Sequence, residues 1–117
     1  MANNDFEKLI KSLQNFATER DWEQFHSPKN LAMALIVEAA EMVEHFQWLS
    51  EEQSRTLPAE KLKEVEQEMA DIFIYLIRIA DGIGVNLEEA AWRKIELNEE
   101  KYPIEKARGS AKKYSDY

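Results

Sequence analysis

Cysteine is absent from this sequence, which excludes disulfides, thiolate metal sites and cysteine nucleophiles together and is compatible with a reducing compartment. Glycine and proline number only three each in 117 residues, and no segment sustains period-two alternation, so hairpins and sheet have little support. Long apolar runs are missing too. No stretch approaches ~18 consecutive apolar residues, and the opening MANNDFEKL has neither a basic segment nor an apolar core of the secretory type. A soluble, unexported, cytoplasmic protein is expected, with no membrane partner. Positive charge is also in short supply: 15 Lys and Arg face 23 Asp and Glu, a net charge of −8. That balance argues against a nucleic-acid polymer as partner, because polyphosphate backbones are held chiefly by Lys and Arg. A phosphate ligand would need a metal or a small basic cluster.

What is present reads as helix. The length fits one domain over 1–117, and a subunit interface would add useful burial at this size. Phe6, Leu9, Ile10, Leu13, Phe16 and Ala17 follow helical spacing, which predicts a first helix over about 5–19 with Asn4 and Glu7 as its capping box. Trp22, Phe25 and His26 crowd a short connector, and Ser27-Pro28 has the form of an N-cap followed by proline at N1. A second helix is expected from Pro28 to about Leu49, striped by Leu31, Leu35, Met42, Phe46 and Leu49. The polar run Ser50 to Thr56 interrupts it. Pro58 starts a third, striped by Leu62, Val65, Met69, Ile72, Leu76 and Ile79 and ended by Gly82 and Gly84. Asn86 and Glu89 form another capping-box pattern, opening a fourth helix that stops near Pro103. From about 104 a basic tail follows, with Lys106, Arg108, Lys112 and Lys113. The class is all-α, and four helices with short connections imply a bundle centred on the second and third.

Chemistry concentrates on that central pair. Projected at ~100° per residue with Glu38 at zero, Leu31, Leu35, Met42 and Leu49 fall within roughly +20° to +60°, so Glu38 sits inside the apolar stripe. Glu41 lies about 60° to the other side, and His45 and Trp48 share that edge. The third helix repeats the pattern: with Glu68 at zero, Val65, Ile72 and Ile79 fall at about +20° to +60°, Asp71 near −60°, Tyr75 near −20° and Glu64 near −40°. A buried carboxylate is costly without a partner. If the stripes face each other, four carboxylates converge, and only a cation removes their repulsion economically. Oxygen-only ligands favour Mg²⁺, Mn²⁺ or Ca²⁺, and Mg²⁺ is the usual companion of phosphates. The bland alternative is that these acids are solvated edge residues. A di-iron site would show Glu-x-x-His on two helices, and His45 stands four residues after Glu41 instead. In the fourth helix Lys94 and Asn98 share a face suited to phosphate, unless Lys94 pairs with a nearby Glu. Trp22, Phe25, Trp48 and Tyr75 offer faces for a nucleobase, or simply core.

These motifs resemble the all-α MazG-like nucleoside triphosphate pyrophosphohydrolases, in particular their dCTP-directed branch. The resemblance runs from Phe16 to Tyr114 and rests on FATERDWEQFHSPKNLAMAL, the Glu38-x-x-Glu41 pair, FQW at Phe46 to Trp48, EMADIFIYL from Glu68, and KIELNEEKYP from Lys94. It implies Mg²⁺, with Mn²⁺ as substitute, on Glu38, Glu41, Glu68 and Asp71. It implies a nucleoside pocket from Trp22 through His26 with Trp48 and Tyr75, and a phosphate grip by Lys94 and Asn98. It further implies cleavage of a nucleoside triphosphate between the α- and β-phosphates, in a homodimer or homotetramer of bundled helices. Leu13 departs from the pattern, which has a histidine there in vertebrates. On physical grounds Lys94 would stabilise charge, and Glu41, nearest water at the stripe's edge, is favoured as proton acceptor. The competing reading is a non-catalytic helical interaction module pairing through the central stripes.

Overall fold

A computed structural model describes residues 3–117, with the side chains of the first two of these left out. Among the described residues every regular element is a helix, in agreement with the all-α expectation. They fall into two compact units, one ending at Gly84 and one covering Val85–Tyr117.

In the first unit α1 spans Asn3–Glu19, α2 Pro28–Phe46, α3 Glu51–Ser54 and α4 Ala59–Ile83. Helix α1 begins upstream of the expected Asn4 cap, and the Asn4 side chain lies outside the described residues. The chain leaves α1 through Asp21, whose φ of 54° is left-handed, a conformation that Asp tolerates better than most residues. That reversal leads into a single 3₁₀ turn at Glu23–Phe25. Ser27 then caps α2 as expected: its Oγ accepts from the Asn30 N–H at 3.1 Å, and Pro28 occupies N1. The Asn30 amide also donates to the Phe25 carbonyl at 3.1 Å, tying the aromatic connector to the helix it feeds.

The end of α2 also differs from the sequence expectation. Helix α2 stops at Phe46, three residues early, and the polar run after it holds the one-turn α3. Ser50 and Gln53 explain α3, because they form a complete capping box: the Ser50 hydroxyl accepts from the Gln53 N–H and the Gln53 amide oxygen accepts from the Ser50 N–H. Helix α4 corresponds to the third expected helix. Gly82 lies within its last turn, and Gly84, at φ 77°, provides the left-handed C-cap.

Helices α2 and α4 pack along each other and α1 packs on α4. Ala17, Leu31, Val65, Ile77 and Ala80 are the buried hydrophobic residues, so the core follows the contact lines of α4 with its two neighbours. The apolar surface of α4 is split. Val65, Ile72 and Ile79 turn inward, whereas Leu62, Met69 and Leu76, which the sequence places in the same stripe, are exposed with Phe73. Projection explains the division, since these four lie roughly 80–140° from Glu68, outside the arc that meets α2. On α2, Ile36 and Val43 are exposed in the same way, about 140–160° from Glu38.

The second unit contains α5 at Leu87–Lys101, α6 at Ile104–Ala107 and a 3₁₀ turn at Tyr114–Asp116. The Asn86 side chain accepts from the Glu89 N–H at 3.0 Å and caps α5, as its sequence suggests. The tail folds locally around Tyr102, whose ring meets Tyr114 and Tyr117 edge to face, while the Lys101 ammonium lies 5.0 Å from the Tyr114 ring centre.

Candidate metal and nucleotide site

Glu38 and Glu41 are one turn apart on α2, and Glu68 and Asp71 one turn apart on α4. Packing of these helices brings Glu38, Glu41 and Glu68 together, with one carboxylate oxygen from each within 4.8 Å of the others. Glu38 and Glu68 are half-buried, and Glu41 and Asp71 exposed, matching the division between acids in the stripe and acids at its edge.

The electrostatics of this cluster are unfavourable for bare carboxylates. Hydrogen bonding to the Glu68 carboxyl is the largest influence on Glu38, followed by burial and then by the proximity of Glu41 and Asp71; together they raise Glu38 to about 7. Glu68 Oε2 is buried with no hydrogen-bond partner. A buried carboxylate oxygen without a donor is costly, and the carboxyls around it offer at most one shared proton. A divalent ion satisfies the orphaned oxygen and the repulsion at once, and an all-oxygen donor set is the type that hard cations select. The residues therefore fit a divalent metal.

His45 belongs to a neighbouring polar group rather than to the carboxylate cluster itself. Its Nδ1 is 3.3 Å from Lys61 Nζ and 3.6 Å from Glu64 Oε2, and its Nε2 is 3.9 Å from Glu68 Oε1. Glu64 is further engaged by Lys61 at 3.5 Å. His45 is thus a hydrogen-bonded residue between α2 and α4.

Beside the carboxylates a cavity of about 320 Å³ opens, with Asp71 on its wall. Trp22, His26, Tyr75, Leu13, Phe16 and Arg78 supply much of the rest. Trp22 stands edge to face against Phe16 at 5.6 Å and His26 at 6.0 Å, so the connector after α1 forms one aromatic wall and α4 the other. Burial, and then the Glu38 and Asp71 carboxylates, raise the Tyr75 hydroxyl, which keeps it a neutral donor. His26 is lowered by burial and then by Arg78, so its imidazole is neutral at physiological pH.

Of the residues singled out by sequence, the structure brings Trp22, His26, Tyr75 and Asp71 to one cavity. Phe25 and Trp48 do not line it; Trp48 projects from the turn after α2 with 87% of its surface exposed. Lys94 and Asn98 are exposed one turn apart on α5 in the second unit, and Lys94 enters no ion pair among the described residues. Sequence reasoning passed over Arg78, although its spacing identifies it: Asp71, Tyr75 and Arg78 are four and three residues apart and share one face of α4.

The fold and the site define an all-α protein with paired carboxylates on adjacent helices beside an aromatic cavity. A profile of the MazG-like family matches residues 33–117, and the chain belongs to that family. It is 42% identical over 103 residues to dCTP pyrophosphatase 1 of Mus musculus and 39% identical over 104 residues to that of Homo sapiens. Each match covers 86% of this chain and 61% of the relative, so the chain spans about three fifths of their length. The crystal structure of a pyrophosphatase from Archaeoglobus fulgidus superimposes with a TM-score of 0.80 at 40% identity, covering 86% of this chain and 94% of that one.

Proposed function

We propose that this protein is a Mg²⁺-dependent nucleoside triphosphate pyrophosphohydrolase acting on dCTP or a modified dCTP, which it converts to the monophosphate and pyrophosphate. The observation that carries this reading is the juxtaposition of three carboxylates within 4.8 Å, one with an orphaned buried oxygen, and an aromatic cavity whose wall includes Asp71. The names of the relatives and the solved neighbour supply the reaction class. Removal of surplus nucleotides from the cytoplasmic pool is the corresponding role.

In this reading Glu38, Glu41, Glu68 and Asp71 hold Mg²⁺, or Mn²⁺ in its place. The metal supplies charge neutralisation on phosphate oxygens and lowers the pKa of water. Glu41, exposed at the rim, accepts the proton of the attacking water. Trp22, His26 and Tyr75 enclose the nucleoside. Lys94 and Asn98, which share a face of α5, grip phosphates, Lys94 adding a cation to the transition state. The exposed Ile36 and Val43 of α2 and Met69 and Phe73 of α4 support assembly into a homo-oligomer that completes the bundle.

Incubation with dCTP and MgCl₂, followed by separation of products, tests the proposal. The expected products are dCMP and pyrophosphate in equal amounts, lost on chelation and in Glu38→Gln and Asp71→Asn at unchanged helicity. Release of orthophosphate alone would overturn it.

A further inference from the structure

Arg78 is the residue of the cavity that the proposed chemistry leaves without a task. It follows Asp71 by seven residues, which places it about 20° around α4 from that carboxylate and roughly 10 Å further along the axis. Tyr75 lies between them. The face of α4 that borders the cavity therefore runs from carboxylate through phenol to guanidinium. A cation that far from Asp71 is poorly placed for phosphates held at the carboxylates, and well placed for the opposite end of a nucleotide.

The guanidinium is anchored but incompletely satisfied. Its Nη1 lies 3.5 Å from Asp81 Oδ2, too long for a strong hydrogen bond, and the same oxygen accepts from the Gln14 amide at 2.9 Å. Arg78 Nε is buried with no partner, although the side chain is only 12% exposed. Across the cavity His26 Nδ1 is a second buried atom without a partner. Two buried polar atoms without partners are costly unless a ligand completes them.

Their chemistries differ. Arginine offers donors only, in a planar fork, whereas a neutral imidazole nitrogen can accept. Donors meeting two adjacent acceptors, next to an acceptor meeting an amine, complement the edge of cytosine, which presents O2 and N3 as acceptors and the 4-amino group as donor. Thymine and uracil place an N3–H between two carbonyls, and guanine places two donors beside O6. Presented by its Watson–Crick edge, each of these bases meets a donor-only fork with an N–H and is repelled; guanine's other edge, with O6 and N7, is the one competing pair of acceptors. We propose that Arg78 is a specificity-determining residue, donating to O2 and N3 of a cytosine base while His26 accepts from its amine. Arg78 shifts modestly on binding to present its fork, and Asp81, steadied by Gln14, limits where it can go. The inference rests on the nucleotide-hydrolase reading above and adds the means of base selection.

The test compares dCTP, dTTP and 3-deaza-dCTP, in which N3 is replaced by carbon, on the full chain with Mg²⁺. Wild type is expected to favour dCTP over both others by about 10- to 100-fold in kcat/KM, the range for a hydrogen bond to a charged group and for a binding site left with an unpaired donor. Arg78→Met, which keeps the stem without the fork, should raise KM for dCTP and bring all three substrates to similar kcat/KM; Arg78→Lys should restore only part of the preference. A folded Arg78→Met protein that keeps the wild-type ratios would overturn the proposal. Should that variant fail to fold, the wild-type comparison still decides, because equal use of dCTP and 3-deaza-dCTP excludes a bond to N3. Absence of pyrophosphate release from every nucleotide would instead refute the hydrolase reading.

Discussion

Glu38 of α2 and Glu68 of α4 each bring a carboxylate oxygen to within 4.8 Å of the other, and hydrogen bonding between the two carboxyls is the first cause of the rise of Glu38 to about 7. Its ordinary value is 4.5, so between about 4.5 and 7 the folded chain holds a proton that the unfolded chain has released. Stability must therefore fall as pH rises through that window when no metal is present. A divalent ion reverses the sign, because it favours the ionised carboxylates and binds only the folded chain. Thermal unfolding from pH 4.5 to 8 should show a declining Tm in EDTA and a rising or level Tm in Mg²⁺. Glu38→Gln should flatten the EDTA curve and abolish the difference.

The proton leaves when the metal arrives. Calorimetric titration with Mg²⁺ at pH 6, repeated in buffers of different ionisation enthalpy, should report close to one proton released per site, falling towards zero above pH 8. Proton uptake, or none at pH 6, would show that Glu38 is already ionised.

Ile77 is 2% exposed at the centre of the first unit, on the helix that also carries Glu68 and Arg78. Ile77→Ala should cost about 2–5 kcal/mol and Ile77→Val about 0.5–1.5 kcal/mol in urea unfolding. The alanine variant should weaken nucleotide binding as well, because Ile74 and Arg78, on either side of it in sequence, line the cavity.

Ser27 connects stability with substrate. Its cap on α2 stands directly after the Trp22–His26 segment, so Ser27→Ala should cost about 1 kcal/mol and also loosen the aromatic wall. The expected signature is a raised KM for dCTP with little change in Mg²⁺ affinity. Ser27→Asp, which retains a capping acceptor, should behave close to wild type in both measurements.

Ile36 is 64% exposed and Val43 55% exposed on the face of α2 opposite Glu38. Ile36→Glu with Val43→Glu should shift the sedimentation profile towards monomer and lower Tm by an amount that depends on protein concentration in the wild type. An unchanged sedimentation profile would separate this face from assembly.

Much of the fold was legible because each helix carries its own signals. Ser27-Pro28, Asn86 and Gly84 fixed ends through local hydrogen bonds or φ, and the structure keeps all three. Helix α3 was missed because a single turn has no periodicity to read; its signature is the Ser50 and Gln53 pair alone. The carboxylate cluster was legible from angle, since Glu38 and Glu68 lie within apolar stripes. The stripe of α4 was read too broadly, because Leu62 and Met69 have the hydrophobicity of core residues but not the direction. Spacing along α4 could have revealed Arg78. The Gln14–Asp81 hydrogen bond beside it could not be read, since it joins residues 67 apart in sequence.

Helix α4 divides its labour along its length. Its N-terminal half joins α2 in gathering carboxylates, and its C-terminal half joins α1 and the aromatic connector in enclosing the cavity. Selection can consequently act on the two ends separately. Under the proposed function, substitutions at positions 13, 26 and 78 would retune which base is accepted and leave Glu38, Glu41 and Glu68 in place, so a lineage could change substrate without passing through an inactive ancestor.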